Sequence, residues 1–114
     1  MLLKNVYEKV TFLGGDMPPA KFVTCFNSFS QYLLISYGEK FVCQPESAYA
    51  DAVTLDSDVP VRPSYESAYV DNILGIAIGD TGKQADAVAK AALAYKKEWN
   101  AHAKGKKLKK EAWY

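Results

Sequence analysis

The sequence has little of what metal, redox and membrane chemistry require. It holds two cysteines, Cys25 and Cys43, and a single histidine, His102, so a Cys/His zinc site cannot be assembled from this chain alone. No apolar run approaches the ~20 residues of a membrane span. The amino-terminal MLLKNV lacks the basic region, long apolar core and small-residue cleavage site of a secretory signal, so synthesis and assembly in the cytoplasm are expected. A phosphate loop is missing too. GDTGK at Gly79 to Lys83 has glycine and lysine in suggestive order, but it lacks the GxxxxGK[ST] spacing and Gln84 occupies the hydroxyl position.

Catalytic groupings are equally scarce. Asp51, Asp56 and Asp58 lie in a polar stretch where solvation or calcium is the expected environment, and their spacing does not complete an EF-hand loop. His102 sits among lysines with no evident partner. Cys25 falls on an apolar stripe and reads as a small buried hydrophobe, with a disulfide or reactive thiol as the alternatives. No enzyme activity, cofactor or metal is expected.

What the chain does have is a charge asymmetry hidden by its net charge of +1. Up to Gly82, five basic residues face ten acidic ones, giving −5; from Lys83 onward, nine lysines face Asp86, Glu98 and Glu111, giving +6. An acidic body is joined to a basic end.

Apolar spacing predicts four helices. Leu3, Val6, Tyr7, Val10 and Leu13 mark the first, over residues 2 to 13, and Gly14-Gly15-Asp16 stops it. Pro18-Pro19 suits the start of the second, about Pro19 to Tyr37, whose Phe22, Cys25, Phe26, Phe29, Leu33 and Ser36 should make it the centre of the core. A third begins near Ser64 as N-cap and carries Tyr65, Tyr69, Ile73 and Ile76. LGIAIGD at Leu74 to Asp80 then echoes TFLGGD at Thr11 to Asp16: each is an apolar run closed by Gly-Asp before the next helix. Asp80 or Thr81 is the expected cap of the fourth helix, whose face is read as Ala85, Val88, Ala89, Ala92, Tyr95 and Trp99, with Gly105 as its end.

The expected fold is therefore mainly α: a four-helix domain of two helical hairpins, residues 1–104, with a flexible basic tail at 105–114. Between helices two and three lies a long loop, Phe41 to Pro63, or a short β-hairpin pairing Ala52 to Leu55 with Val59 to Val61 around Asp56-Ser57-Asp58. The tail's Lys104, Lys106, Lys107, Lys109 and Lys110 would attract phosphates, anionic lipid or an acidic protein groove. Leu108, Trp113 and Tyr114 add apolar area of the kind that docks on a partner, against the simpler reading of a solubilising tail.

The segment DVPVRPSYESAYVDNILGIAIGD, followed by an Ala/Tyr-rich helix, resembles the second half of tailed-bacteriophage head-tail connector, or adaptor, proteins. Val59-Pro60-Val61 and Pro63 match the entry strand, Tyr65 and Ala68 the helix start, Val70 to Asp80 the following helix, and Ala91 to Trp99 the last. LKNVYEKVTFLGGD and the longer helix after it fit the family's first half. The sequence departs from the pattern at Gly75 and Gly79, where larger residues are common.

The resemblance implies a structural virion protein, assembled in the host cytoplasm as a ring, commonly a dodecamer, beneath the portal vertex. Such a ring completes the head, extends the channel for passing DNA and meets a tail or neck protein. Portal docking would fall to Lys104, Lys106, Lys107, Leu108, Lys109, Lys110, Trp113 and Tyr114. The alternative reading is a small DNA-binding module using the same lysine-rich tail, although a tail without arginine suits phosphate neutralisation better than base readout. No membrane partner is expected.

Overall fold

The computed structural model describes residues 1–38, 54–59 and 61–111, with backbone alone from 102 onward. Four helices account for most of them: α1 (Leu3–Phe12), α2 (Pro19–Tyr37), α3 (Glu66–Ile78) and α4 (Thr81–Glu111), with a 3-10 turn at Pro63–Tyr65 leading into α3. The bounds of α2 coincide with those read from Pro19 and Tyr37. Cys43, Asp51 and most of the Phe41 to Pro63 loop lie outside the described residues.

The organising element is α3, not α2, because α1, α2 and α4 all pack against it. Ala68, Tyr69 and Val70 are buried in succession, as are Ile73, Leu74 and Gly75, with Asp71 and Asn72 half-buried between them, so most of the middle of this helix is withdrawn from water. A helix apolar around most of its circumference belongs in a core. On its α2 side, Tyr69 stacks on Phe26 at 4.3 Å and meets Phe29 edge-on at 5.1 Å, while its phenol and Ser30 Oγ share a buried hydrogen bond of 2.6 Å. Rings bring large apolar area, and the hydroxyl pair satisfies the polar atoms that accompany it. On its other side α1 contributes Leu3, Val6 and Val10. Tyr7 from the same helix meets Phe22 edge-on at 5.1 Å and donates a hydrogen bond to the Met17 carbonyl.

The α3–α4 pair is antiparallel, and three contacts give its register. Gly75 lies against Gln84, Asp71 binds Lys90 at 2.6 Å, and Ser64 binds Glu98 at 2.6 Å. Each step back along α3 is matched by a step forward along α4. Gly79 makes the reversal: it closes α3 with φ +71°, a left-handed conformation that glycine adopts without steric cost, and the Asp80 N–H reaches back to the Gly75 carbonyl at 2.8 Å. Asp80 Oδ1 then accepts the Lys83 N–H at 3.2 Å, capping α4 as the sequence suggested. The Gly14 turn repeats the device, with φ +98° and the Gly15 N–H on the Val10 carbonyl at 2.9 Å. Gly14 thus corresponds to Gly79, and the LGGD and AIGD stops are two copies of one helix-ending geometry.

Three expectations require correction. The buried face of α4 is Ala87, Ala91 and Ala94, whereas Ala85, Val88, Ala89, Ala92 and Trp99 are exposed. Alanine occurs on both sides of this helix, so apolar spacing alone did not choose between them. Gly105 does not end α4, which continues as helix to Glu111, so the residues expected as a flexible tail begin as helix. Ser64 is not a cap: its hydroxyl donates to Glu98 Oε1. Of the two alternatives for Phe41 to Pro63, the β-hairpin is not confirmed: Ala52, Val53 and Pro60 lie outside the described residues, and no strand occurs in the described part. Ser57 does turn back on Thr54 at 3.0 Å, but Leu2 bridges Asp58 in antiparallel fashion, and the Leu3 and Val59 N–H groups bond Ser57 and Met1 carbonyls. The segment pairs with the amino-terminal residues, placing Val59 and Val61 in the core.

The close crossing at Gly75 yields a prediction. A Cβ there would lie 2.8 Å from the Asp80 carbonyl oxygen and 2.9 Å from Gln84 Cγ. Alanine gains about 1 kcal/mol of helix propensity over glycine, but overpacking against backbone costs roughly 1–3 kcal/mol. Gly75→Ala is therefore expected to lower the urea midpoint. An unchanged or higher midpoint would mean the two helices separate freely at this point.

Candidate functional site

A surface groove of about 940 Å³ runs between α1 and α3, with α4 at one corner. Helical spacing builds both walls: Asn5, Glu8, Lys9 and Phe12 project from one side of α1, and Ser64, Ser67, Val70 and Asp71 from one side of the α3 region. Lys9 Nζ bridges the walls to Glu66 Oε1 at 2.7 Å, and Lys90 from α4 holds Asp71 at 2.6 Å. These pairs are partly solvated, so they fix side-chain positions more than they add stability. Glu8 has no ion-pair partner among the described residues.

At its α1 end, Phe12 is 89% exposed and Leu13 54% exposed. The wall of Val70 beneath them is apolar, and Pro63 closes the opposite end. The groove thus offers apolar area edged with charges, the chemistry of a docking surface, and its carboxylates Glu66 and Asp71 are engaged by lysines. Sequence reading passed over this site. The available signal was Phe12, an aromatic residue placed off the Leu3, Val6, Val10 stripe on the otherwise polar side of an amphipathic helix.

A second cluster lies where α4 leaves the body. Tyr37 stacks on Tyr95 at 4.7 Å and lies 6.1 Å from Tyr65. Beside them Glu98 accepts the Ser64 hydroxyl through Oε1 and lies 3.8 Å from Arg62 through Oε2. Pro63 and Ser64 belong to this cluster and to the groove, so the exit of α4 and the groove's end share a wall. Burial pushes the Tyr65 phenol well above its ordinary value of 10, and the Glu98 carboxylate adds to the shift; Tyr37 moves the same way, chiefly by burial.

The residues singled out from sequence stand as follows. Lys104, Lys106, Lys107, Leu108, Lys109 and Lys110 fall on the α4 backbone, with side chains outside the described residues, as is that of His102; Trp113 and Tyr114 lie outside them altogether. Cys25 is half-buried and free, and burial raises its thiol pKa, which disfavours the thiolate. Asp58 holds the Met1 ammonium at 3.0 Å. No cluster of metal-ligating residues occurs among the described residues, and none of the described helices is long and apolar enough to cross a membrane. No family model matches the chain, and neither the curated proteins nor the solved structures give a significant match.

The tyrosine cluster sets a pH dependence. Tyr65 titrates near 10 when unfolded and higher when folded, so its contribution is fully present below pH 10 and is lost as pH rises through the folded value. Urea midpoints measured from neutral pH into the alkaline range are expected to hold steady and then fall above pH 10. In Tyr65→Phe the fall should be smaller; a fall as steep as in the wild type would place its origin in other groups.

Proposed function

We propose that this chain is a structural component of the tailed-phage head-tail connector type. It would assemble as a ring beneath the portal, completing the head, extending the DNA channel and presenting a surface to the tail. The supporting pattern is the order of elements: a short and a longer helix, an intervening segment ending in Val59 and Val61, a Pro63-Ser64-Tyr65 entry, and the α3–α4 hairpin. The observation that carries the reading is the path of α4. Its packed face ends near Glu98, yet the helix continues to Glu111 through a lysine-rich segment, giving an acidic body with a basic helical arm for a large partner.

Removing Lys106 to Tyr114 tests this directly. Circular dichroism should report a folded body, because the described core contacts lie before these residues, and co-sedimentation with portal-containing heads should be abolished. Normal joining by the truncated chain would overturn the role of the arm. The concentration of lysines on one helical end also favours a DNA-binding module as a second reading. That reading requires affinity for DNA that falls steeply with salt, and no binding at low ionic strength would eliminate it.

A further inference from the structure

We infer that the groove between α1 and α3 receives the lysine-bearing end of α4 from a second copy of this chain, making a head-to-tail contact. The inference deepens the connector reading, on which it rests only for the closure of such contacts into a ring.

The path of α4 supplies the first argument. Ala87, Ala91 and Ala94 are buried against the body, Glu98 is half-buried, and Ala101 one turn later is exposed. The same alternating three- and four-residue spacing continues in the sequence through Gly105, Leu108 and Ala112. The spacing of the stripe that packs inside the body therefore continues beyond it in the sequence, and a helix gains most of its stability from such packing. The helix cannot supply its own cover. Running antiparallel to α3, it passes Asp71 at Lys90 and Ser64 at Glu98, and then continues away from the groove's Pro63 end. A continuous helix does not turn back, so an arm that fills the groove belongs to another molecule.

Charge selects the occupant. Two arms laid together would oppose Lys104, Lys106, Lys107, Lys109 and Lys110 with their equivalents, against only Glu111 from each. An acidic surface is favoured instead, and residues up to Gly82 carry a net −5. The groove belongs to that part except for Lys90; with Glu66 held by Lys9 and Asp71 by Lys90, its remaining negative charge is Glu8, which has no ion-pair partner among the described residues and lies in the same lining as exposed Phe12 and Leu13, a match for lysines flanking Leu108. Arm and groove are different surfaces of one chain, so the contact is either exchanged reciprocally in a two-fold pair or propagates from copy to copy and closes when the rotation permits; the head-to-tail assignment requires the second, and a wild-type mass of two copies and no more would overturn it.

Two full-length variants test the assignment. Phe12→Asp alters the groove at a side chain that is 89% exposed. The arm variant carries Lys106→Glu, Lys107→Glu, Lys109→Glu and Lys110→Glu. Light scattering with size-exclusion chromatography, at about 50 mM and about 500 mM salt, would read mass while circular dichroism checks folding. The wild type should associate and lose mass at the higher salt, and each variant alone should be monomeric. Mixed, the two variants should form a complex of two copies that grows no further, joined by the intact arm of one and the intact groove of the other. A monomeric wild type, self-association of Phe12→Asp equal to wild type, or no complex in the mixture would each overturn the inference. A wild type that stays monomeric yet joins portal-containing heads would remove the groove assignment and leave the connector reading standing. Self-association without joining heads would do the reverse.

Discussion

The close approach of α3 and α4 at Gly75 governs the rest of the molecule. With no side chain there, the Asp80 carbonyl and Gln84 can sit where a Cβ would collide, and the Gly79 turn reverses the chain immediately beyond. That contact fixes the antiparallel register. The register then places Lys90 beside Asp71 and Glu98 beside Ser64, so the groove's corner and the exit of α4 follow from a glycine several turns away. The seam on α4 is alanine for a related reason: Ala87, Ala91 and Ala94 fill little space, allowing two helix backbones to lie close over the whole of α3.

Small residues on one side of α3 leave the remaining core volume to be filled from the other sides. There Phe22, Phe26, Phe29, Tyr65 and Tyr69 supply the bulk, with aliphatic residues from α1 and the Val59 and Val61 pair closing the end. Two of these aromatics carry hydroxyls into the interior. Tyr69 meets Ser30, while Tyr65 lies beside Tyr37 and the Arg62–Glu98 pair. The core is thus polar at selected points on its boundary, and one of those points is where the long helix leaves. Holding Glu98 by Ser64 and Arg62 directs the arm, since a side chain engaged from two directions resists rotation of its helix.

Much of the helical plan was legible because apolar spacing and breakers agree. Of the stripe Leu3, Val6, Tyr7, Val10 and Leu13, three are buried and Tyr7 half-buried, while Leu13 falls past the helix end and is exposed; Pro19 and Tyr37 bound a long run, and the two glycine stops have a stereochemical reason that sequence reveals. Reading failed where composition is degenerate. The AVAKAALA run of α4 presents alanine on more than one face, so packing against α3 decides which side is buried, and that information resides in α3. The centrality of α3 was visible in VDNILGIAI, whose only polar residues are Asp71 and Asn72, but the aromatic density of α2 outweighed it. Gly105 looked like a stop by the same rule that worked at Gly14 and Gly79. Those two glycines have left-handed backbones and partners waiting on the next helix, whereas glycine alone only weakens a helix without ending it. The groove was illegible for a different reason: it is made by juxtaposing α1 and α3, which are far apart in sequence, and only Phe12 hinted at it.

The proposed head-to-tail contact would also give a reason for the uneven distribution of charge along the chain. A domain of this size gains nothing in folding from separating −5 from +6, since attraction between surface charges is weak and screened within about 10 Å at 0.1 M salt. Segregation could act between molecules. In the proposed contact it would draw the arm of one copy towards the body of the next and penalise arm against arm, so electrostatics would favour one orientation from the several that apolar area alone would permit. A two-fold dimer could satisfy the same attraction only by exchanging both arms at once, and it would terminate growth at two copies. In the proposed contact a single attraction would repeat instead, and the rotation between neighbours would decide whether the series closes.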